Sequence, residues 1–129
     1  MQRVILDTNV FVAAGFNLKS ASAKLLEEIE AGRLALIWNQ ATRRETQSVL
    51  DRIPPLGWRD VHCLFNPEFQ HGDEGRLSAV SFVEDPADRK FAALAVASGA
   101  PLVTMDEDLL THRDRLDVLT PGEFLEHRL

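Results

Sequence analysis

Short apolar runs alternate with amphipathic stretches along the whole chain. Val4-Ile5-Leu6 is rich in β-branched residues, long enough for a buried strand and too short for a helix. Leu34-Ala35-Leu36-Ile37-Trp38, Pro101-Leu102-Val103-Thr104 and Leu116 to Leu119 read in the same way. Ala79 to Val83 is a further strand expectation, ending at Glu84-Asp85-Pro86. Between these runs the period changes. Val10 to Ala14 reads as a short buried helix ended by Gly15. From Ser20 to Ala31, Ala23, Leu25, Leu26 and Ile29 recur at helical spacing with Lys24, Glu27, Glu28 and Glu30 outward, and Gly32 supplies a C-cap.

A helix beginning at Asn39 or Thr42 runs to about Arg52, where Pro54-Pro55 stops it. Leu56 to Phe65 reads as a short helix carrying Trp58, Val61, Leu64 and Phe65, and Asn66 to Arg76 reads as a loop. Pro86 to Ser98 is helical up to Gly99. Asp106 to Leu110 opens a short helix, and Pro121 starts a terminal one with Phe124 and Leu125. Strands alternating with helices predict an α/β class: a mostly parallel sheet covered by helices on both faces. No repeat, linker or low-complexity segment divides residues 1–129, so one domain is expected.

Composition narrows the class. With 45% hydrophobic and 26% charged residues the chain can bury a core and is not of a disordered type. Cys63 is the one cysteine, so no intrachain disulfide forms, which suggests a reducing compartment. Its place in an amphipathic helix predicts a buried thiol. No apolar window approaches the roughly 18 residues of a membrane span, and Asp7 interrupts the first run too early for a signal peptide. A soluble, cytoplasmic protein without a membrane partner is expected. The formal net charge of −6 argues against a phosphate-rich partner, but setting four metal-binding carboxylates aside reduces it to −2. Arg43, Arg44, Arg89, Lys90, Arg113 and Arg115 are then available to rim a cleft.

The acids carry the candidate chemistry. Asp7 follows the first strand, Glu45 lies early in the helix after the second, Asp88 lies in the first turn of the helix opened by Asp85-Pro86, and Asp106 follows the strand ending at Thr104. In a right-handed parallel sheet all four positions fall at the carboxyl edge, where α/β folds bind ligands. Each also has a structural reading. Asp7 and Asp106 suit N-caps, Thr42-Arg43-Arg44-Glu45 fits a capping box, and Asp85, Pro86 and Asp88 suit N-cap, N1 and N3. Taken together they crowd like charges into one crevice, which divalent cations relieve, and oxygen-only ligands favour Mg²⁺ or Mn²⁺. There is no phosphate loop, no dinucleotide fingerprint and no nucleophile elbow, and the four histidines lack metal-ligand spacing.

Several stretches resemble those of PIN-domain nucleases. They are Val4-Ile5-Leu6-Asp7-Thr8-Asn9-Val10, Asp85-Pro86-Ala87-Asp88-Arg89-Lys90-Phe91-Ala92-Ala93-Leu94-Ala95, Leu102-Val103-Thr104-Met105-Asp106-Glu107-Asp108-Leu109-Leu110 and Thr120-Pro121-Gly122-Glu123-Phe124-Leu125. The likeness covers nearly the whole chain except about Pro54 to Ser81. It implies a three-layer α/β/α sandwich with a central, mostly parallel sheet and a Mg²⁺- or Mn²⁺-dependent ribonuclease. It matches Asp7, Glu45, Asp88 and Asp106 to the family's four acids, with Asp108 as a further metal ligand. Asn9, Thr104 and Asp85 would orient or support them, and Arg43, Arg44, Arg89 and Lys90 would meet RNA. Many bacterial members are toxins restrained by a small antitoxin, so an antitoxin and a second copy of the chain join RNA among the expected partners.

Two alternatives stay open at this stage. A phosphatase of the haloacid-dehalogenase type also places an aspartate after its first strand, but needs a second one two positions on, where this chain has Asn9. A non-catalytic PIN-like module that binds RNA or protein would be expected to lack an acid.

Overall fold

The structure, a computed structural model, describes residues 1–72 and 75–129. Four strands, β1 (Gln2–Leu6), β2 (Leu34–Leu36), β3 (Leu102–Val103) and β4 (Val118–Leu119), form one parallel sheet in the order β2-β1-β3-β4. Gln2 pairs with Leu34, Ile5 with Leu102 and Leu102 with Val118. Seven α-helices among the described residues flank it: α1 (Thr8–Phe16), α2 (Ala21–Glu30), α3 (Gln40–Leu50), α4 (Trp58–Val61), α5 (Pro86–Ser98), α6 (Glu107–Leu110) and α7 (Pro121–His127).

Side chains of a strand alternate between faces, and that alternation builds the layers. Val4, Leu6, Leu34, Leu36, Val103 and Leu119 point to one side, into a core completed by Phe11, Leu25, Leu50, Phe65 and Phe124. Ile5, Ile37, Leu102 and Val118 point to the other, packing on Val80, Val83, Phe91, Leu94 and Leu109. The expected α/β/α sandwich with a parallel sheet is therefore the observed one. Full burial of side chains such as Phe11, Phe91 and Phe124 contributes roughly 1.5–3 kcal/mol each.

Several local expectations are corrected. Ala79 to Val83 forms no strand; a 3₁₀ turn occupies Leu77–Val80. Val80 and Val83 are both fully buried, joined by a Val83 N–H to Val80 C=O bond, so their spacing of three is that of a turn with one inward face. The first helix runs through Gly15 to Phe16. Gly15 is there because a Cβ would stand 2.6 Å from the Leu56 Cβ, not because the chain needs a stop. Gly99, by contrast, does end α5, at φ +75°.

The cap of α3 is Asn39, whose Oδ1 accepts from the Thr42 N–H while the Thr42 hydroxyl accepts from the Asn39 N–H. Glu45 thus lies in the second turn of α3 rather than at N3 of a capping box. The segment 56–65 breaks into α4 and a 3₁₀ turn at His62–Leu64, which leaves Cys63 exposed instead of buried. Within the expected loop 66–76, Pro67–Phe69 is a 3₁₀ turn and Gln70 bridges Trp38; positions 73 and 74 lie outside the described residues.

Candidate metal centre and its cleft

The strand order reverses at β1: the chain passes from β1 to β2 on one side, then crosses to β3 on the other. The crevice at the carboxyl ends of β1 and β3 is the place where such sheets bind ligands. Asp7 directly follows β1. Thr104, Met105 and Asp106 follow β3. Asp88 arrives from α5, one turn before Phe91 and Ala92, on the helix face buried against the sheet. Carboxylate oxygens of Asp7, Asp88 and Asp106 all lie within 4.8 Å of one another. No other group of three or more His, Cys, Asp or Glu with metal-ligand spacing occurs among the described residues.

Hydrogen bonds fix two of the three. Asp7 Oδ1 accepts from the Thr8 N–H at 2.7 Å, and Oδ2 accepts from the Thr104 hydroxyl at 2.7 Å. That hydroxyl also accepts from the Asp106 N–H at 3.0 Å, tying the two acid loops together. Asp106 Oδ1 accepts from the Asp108 N–H at 3.0 Å, capping α6, and Asn9 Oδ1 accepts from the Met105 N–H at 3.2 Å. Asp85 caps α5 through the Ala87 N–H at 2.9 Å. Capping and site placement thus coexist, because a carboxylate has lone pairs enough for both. Asp88 is different: it caps nothing, is only 9% exposed, and its Oδ2 is buried with no hydrogen-bond partner.

The electrostatics follow from this crowding. Burial raises the Asp7 carboxyl to about 6; the bonds from Thr104 and Thr8 pull it down, and the charges of Asp106 and Glu45 push it up. Asp88 rises to about 7, chiefly through burial, then through the Asp7 charge and the adjoining Asp106 carboxyl. A buried acceptor without a donor, among carboxyls that resist ionising together, fits a hard divalent cation. The residues present therefore suit a divalent metal ion.

The other expected site residues separate. Glu45 faces the cleft from α3 but stands outside the trio; the Lys90 ammonium pairs with it at 3.3 Å. Asp108 is exposed and lines a neighbouring hollow with Glu84, Glu107, Thr111 and His112. Arg43 lies over the Trp58 and Trp38 rings, at 5.2 and 6.0 Å. Arg89 donates to the Val83 carbonyl at 2.6 Å and closes the turn before α5. Arg113 is paired with Glu123, and Arg115 covers the Phe82 ring. Of the expected basic rim, Arg44 alone is exposed without a side-chain hydrogen bond or ion pair among the described residues. Most of these cations therefore have local carbonyl, aromatic or carboxylate partners that sequence proximity to an acid does not reveal.

One feature of the cleft was not anticipated from the sequence. Its volume is about 390 Å³, and beside Asp7, Thr8, Asn9, Glu45, Asp85 and Asp88 it is lined by Val12, Val49, Ile53, Ala87 and Phe91. Glu45 and Val49 are spaced four apart on α3, and that spacing is the signal that could have placed both on one face of the helix.

A family model described as PIN domain matches residues 3–108. The uncharacterized protein MJ1680 of Methanocaldococcus jannaschii is 28% identical over 153 aligned positions, covering 96% of this chain and 90% of the archaeal one. The chain belongs to the PIN-domain family, whose fold is of nuclease type.

Proposed function

We propose that this PIN domain is a metal-dependent endoribonuclease, with Asp7, Asp88 and Asp106 holding Mg²⁺ or Mn²⁺ and Glu45 acting across the cleft. Asp88 carries the reading: its first-turn place in α5 suits the helix dipole, but its Oδ2 is buried with no hydrogen-bond partner, and such costs are borne at functional sites. A bound divalent ion would supply an activated water and neutralise charge gathering on a phosphodiester. The protein's own contribution is preorganisation. Thr104 and the Thr8 N–H hold Asp7 in one orientation, Asn9 fixes the Met105 backbone, and Lys90 fixes Glu45. Asp7 and Asp88 release protons when a cation binds, so metal affinity rises with pH through the range set by about 6 and about 7.

Preference for RNA and the toxin role in a toxin–antitoxin pair rest on the family resemblance, and location in the cytoplasm rests on the single cysteine; these form the finer part of the proposal. The test is cleavage of end-labelled RNA and matched DNA in Mg²⁺, in Mn²⁺ and in excess chelator. Cleavage of RNA that stops with chelator and leaves 5′-phosphate products is expected; undiminished cleavage in chelator overturns the metal assignment. For the toxin role, a small DNA-binding protein encoded beside this chain should bind it and suppress that cleavage.

A further inference from the structure

The cleft beside the aspartates has two unlike walls. Carboxylates make up part of its lining; Val12 from α1, Val49 from α3 and Ile53 just beyond α3 make up an aliphatic shelf. Glu45 and Val49 lie one turn apart on α3, and Ile53 follows beyond its last residue, Leu50, with its N–H bonded to the Val49 carbonyl at 3.0 Å. Val12 belongs to the same surface because α1 and α3 are locked together, with the Thr8 and Thr46 hydroxyls 3.0 Å apart. Ile53 remains 37% exposed, a large apolar side chain left open to solvent at the end of the cleft.

Resting on the ribonuclease reading above, we infer that Val12, Val49 and Ile53 form a subsite for one unpaired base next to the scissile phosphate. A nucleotide has the same division as the cleft: a charged phosphate joined to a flat, largely apolar base. The lining offers the base no cation and, on the shelf, no hydrogen-bonding side chain. It cannot read a base edge and can only cover a face, so it accepts any base and rejects a paired one. An apolar peptide side chain would also cover the shelf, but it would leave the carboxylate end of the same cleft unfilled.

The test uses the full chain and short fluorescein-labelled single-stranded RNAs in which one abasic position is walked along the strand. Binding is read by anisotropy and cleavage on a gel, in Mn²⁺. One abasic position should weaken binding about tenfold, equivalent to about 1.4 kcal/mol. Ile53→Ala should raise KM for intact RNA by a similar factor with kcat little changed, and should add nothing on the sensitive abasic strand. Ile53→Leu should restore wild-type KM, which a merely structural defect in Ile53→Ala would not require. If no abasic position alters binding, or if Ile53→Ala penalises all abasic strands equally, the subsite is wrong. Base-dependent binding without cleavage supports the subsite and overturns the nuclease reading. Absence of both binding and cleavage overturns both, and loss of a copurifying protein rather than of RNA binding on Ile53→Ala gives the shelf to a peptide.

Discussion

Two groups of carboxylates in this molecule live in opposite surroundings. Near the carboxyl terminus, Glu123 makes a forked pair with Arg113 at 2.7 and 2.8 Å and Asp117 a second with Arg128 at 2.8 and 3.2 Å, all on the surface. Glu123 also accepts from the Thr120 N–H, completing the cap of α7, and its pKa falls to about 2. At the sheet's carboxyl edge, Asp7 and Asp88 are buried beside Asp106 with no basic partner of their own, and their pKa values rise. The surface acids are satisfied by the protein itself. The buried ones have mainly one another, an arrangement that a divalent cation would neutralise.

The largest expected effect comes from Asp88→Asn. This change keeps the shape of the one acid that caps nothing, so folding should be unharmed, while cleavage should fall by about 10²–10³-fold, the scale of removing one aligned electrostatic group. The rise in Tm on adding Mn²⁺ should shrink with it, because binding to the native state is what raises Tm. An Asp88→Asn protein that cleaves RNA and responds to Mn²⁺ like the wild type would erase the distinction between the two acid groups.

The next effect is on pH dependence without metal. Asp7 and Asp88 have folded pKa values above the unfolded 3.8, so the native state holds protons that the unfolded state releases. Their contribution to stability is present below about pH 4 and is lost as pH rises through about 6 and 7. Melting curves of chelator-treated protein should show Tm declining across that window, and Mn²⁺ should flatten the decline. A Tm that climbs steadily from pH 5 to 8 in chelator would contradict the burial of unpaired charge.

Smallest is the effect of Glu123→Gln. Its folded pKa is depressed, so its contribution is present above about pH 4.5 and lost as pH falls toward 2. At neutral pH a slight lowering of Tm, erased by high salt, is expected, with metal response and cleavage untouched. Differential scanning fluorimetry at low and high salt measures this; a loss of Mn²⁺ response in Glu123→Gln would show that the two regions are coupled.

Asp7, Asp88 and Asp106 could be placed from strand ends and a helix start, because parallel topology sends every such position to one edge. Glu45 was placed on the right helix but at the wrong turn, since Asn39 and Asn39's partner Thr42 take the cap. Basic residues adjacent to acids in sequence take separate partners in the fold: Lys90 pairs with Glu45, Arg89 binds the Val83 carbonyl, and Arg43 stacks on tryptophans. Long flexible side chains choose partners in three dimensions, and their sequence neighbours say little about where their charge ends up.

What the sequence determined by itself is the layering. Alternation in Val4-Ile5-Leu6 and in Leu102-Val103 assigns side chains to two cores, and Gly99 and Pro86 punctuate α5, all by rules of local geometry. What only the tertiary structure decided is everything that depends on non-local approach. Val80 and Val83 became a turn because the sheet had no place for them and the second core did. Gly15 lies within a helix because Leu56 arrives against it. Asp88 Oδ2 is unpartnered although the Asp7 and Asp106 carboxyls crowd the same residue. Local propensity reports how one segment prefers to fold; whether a buried oxygen finds a partner is settled by where distant segments pack.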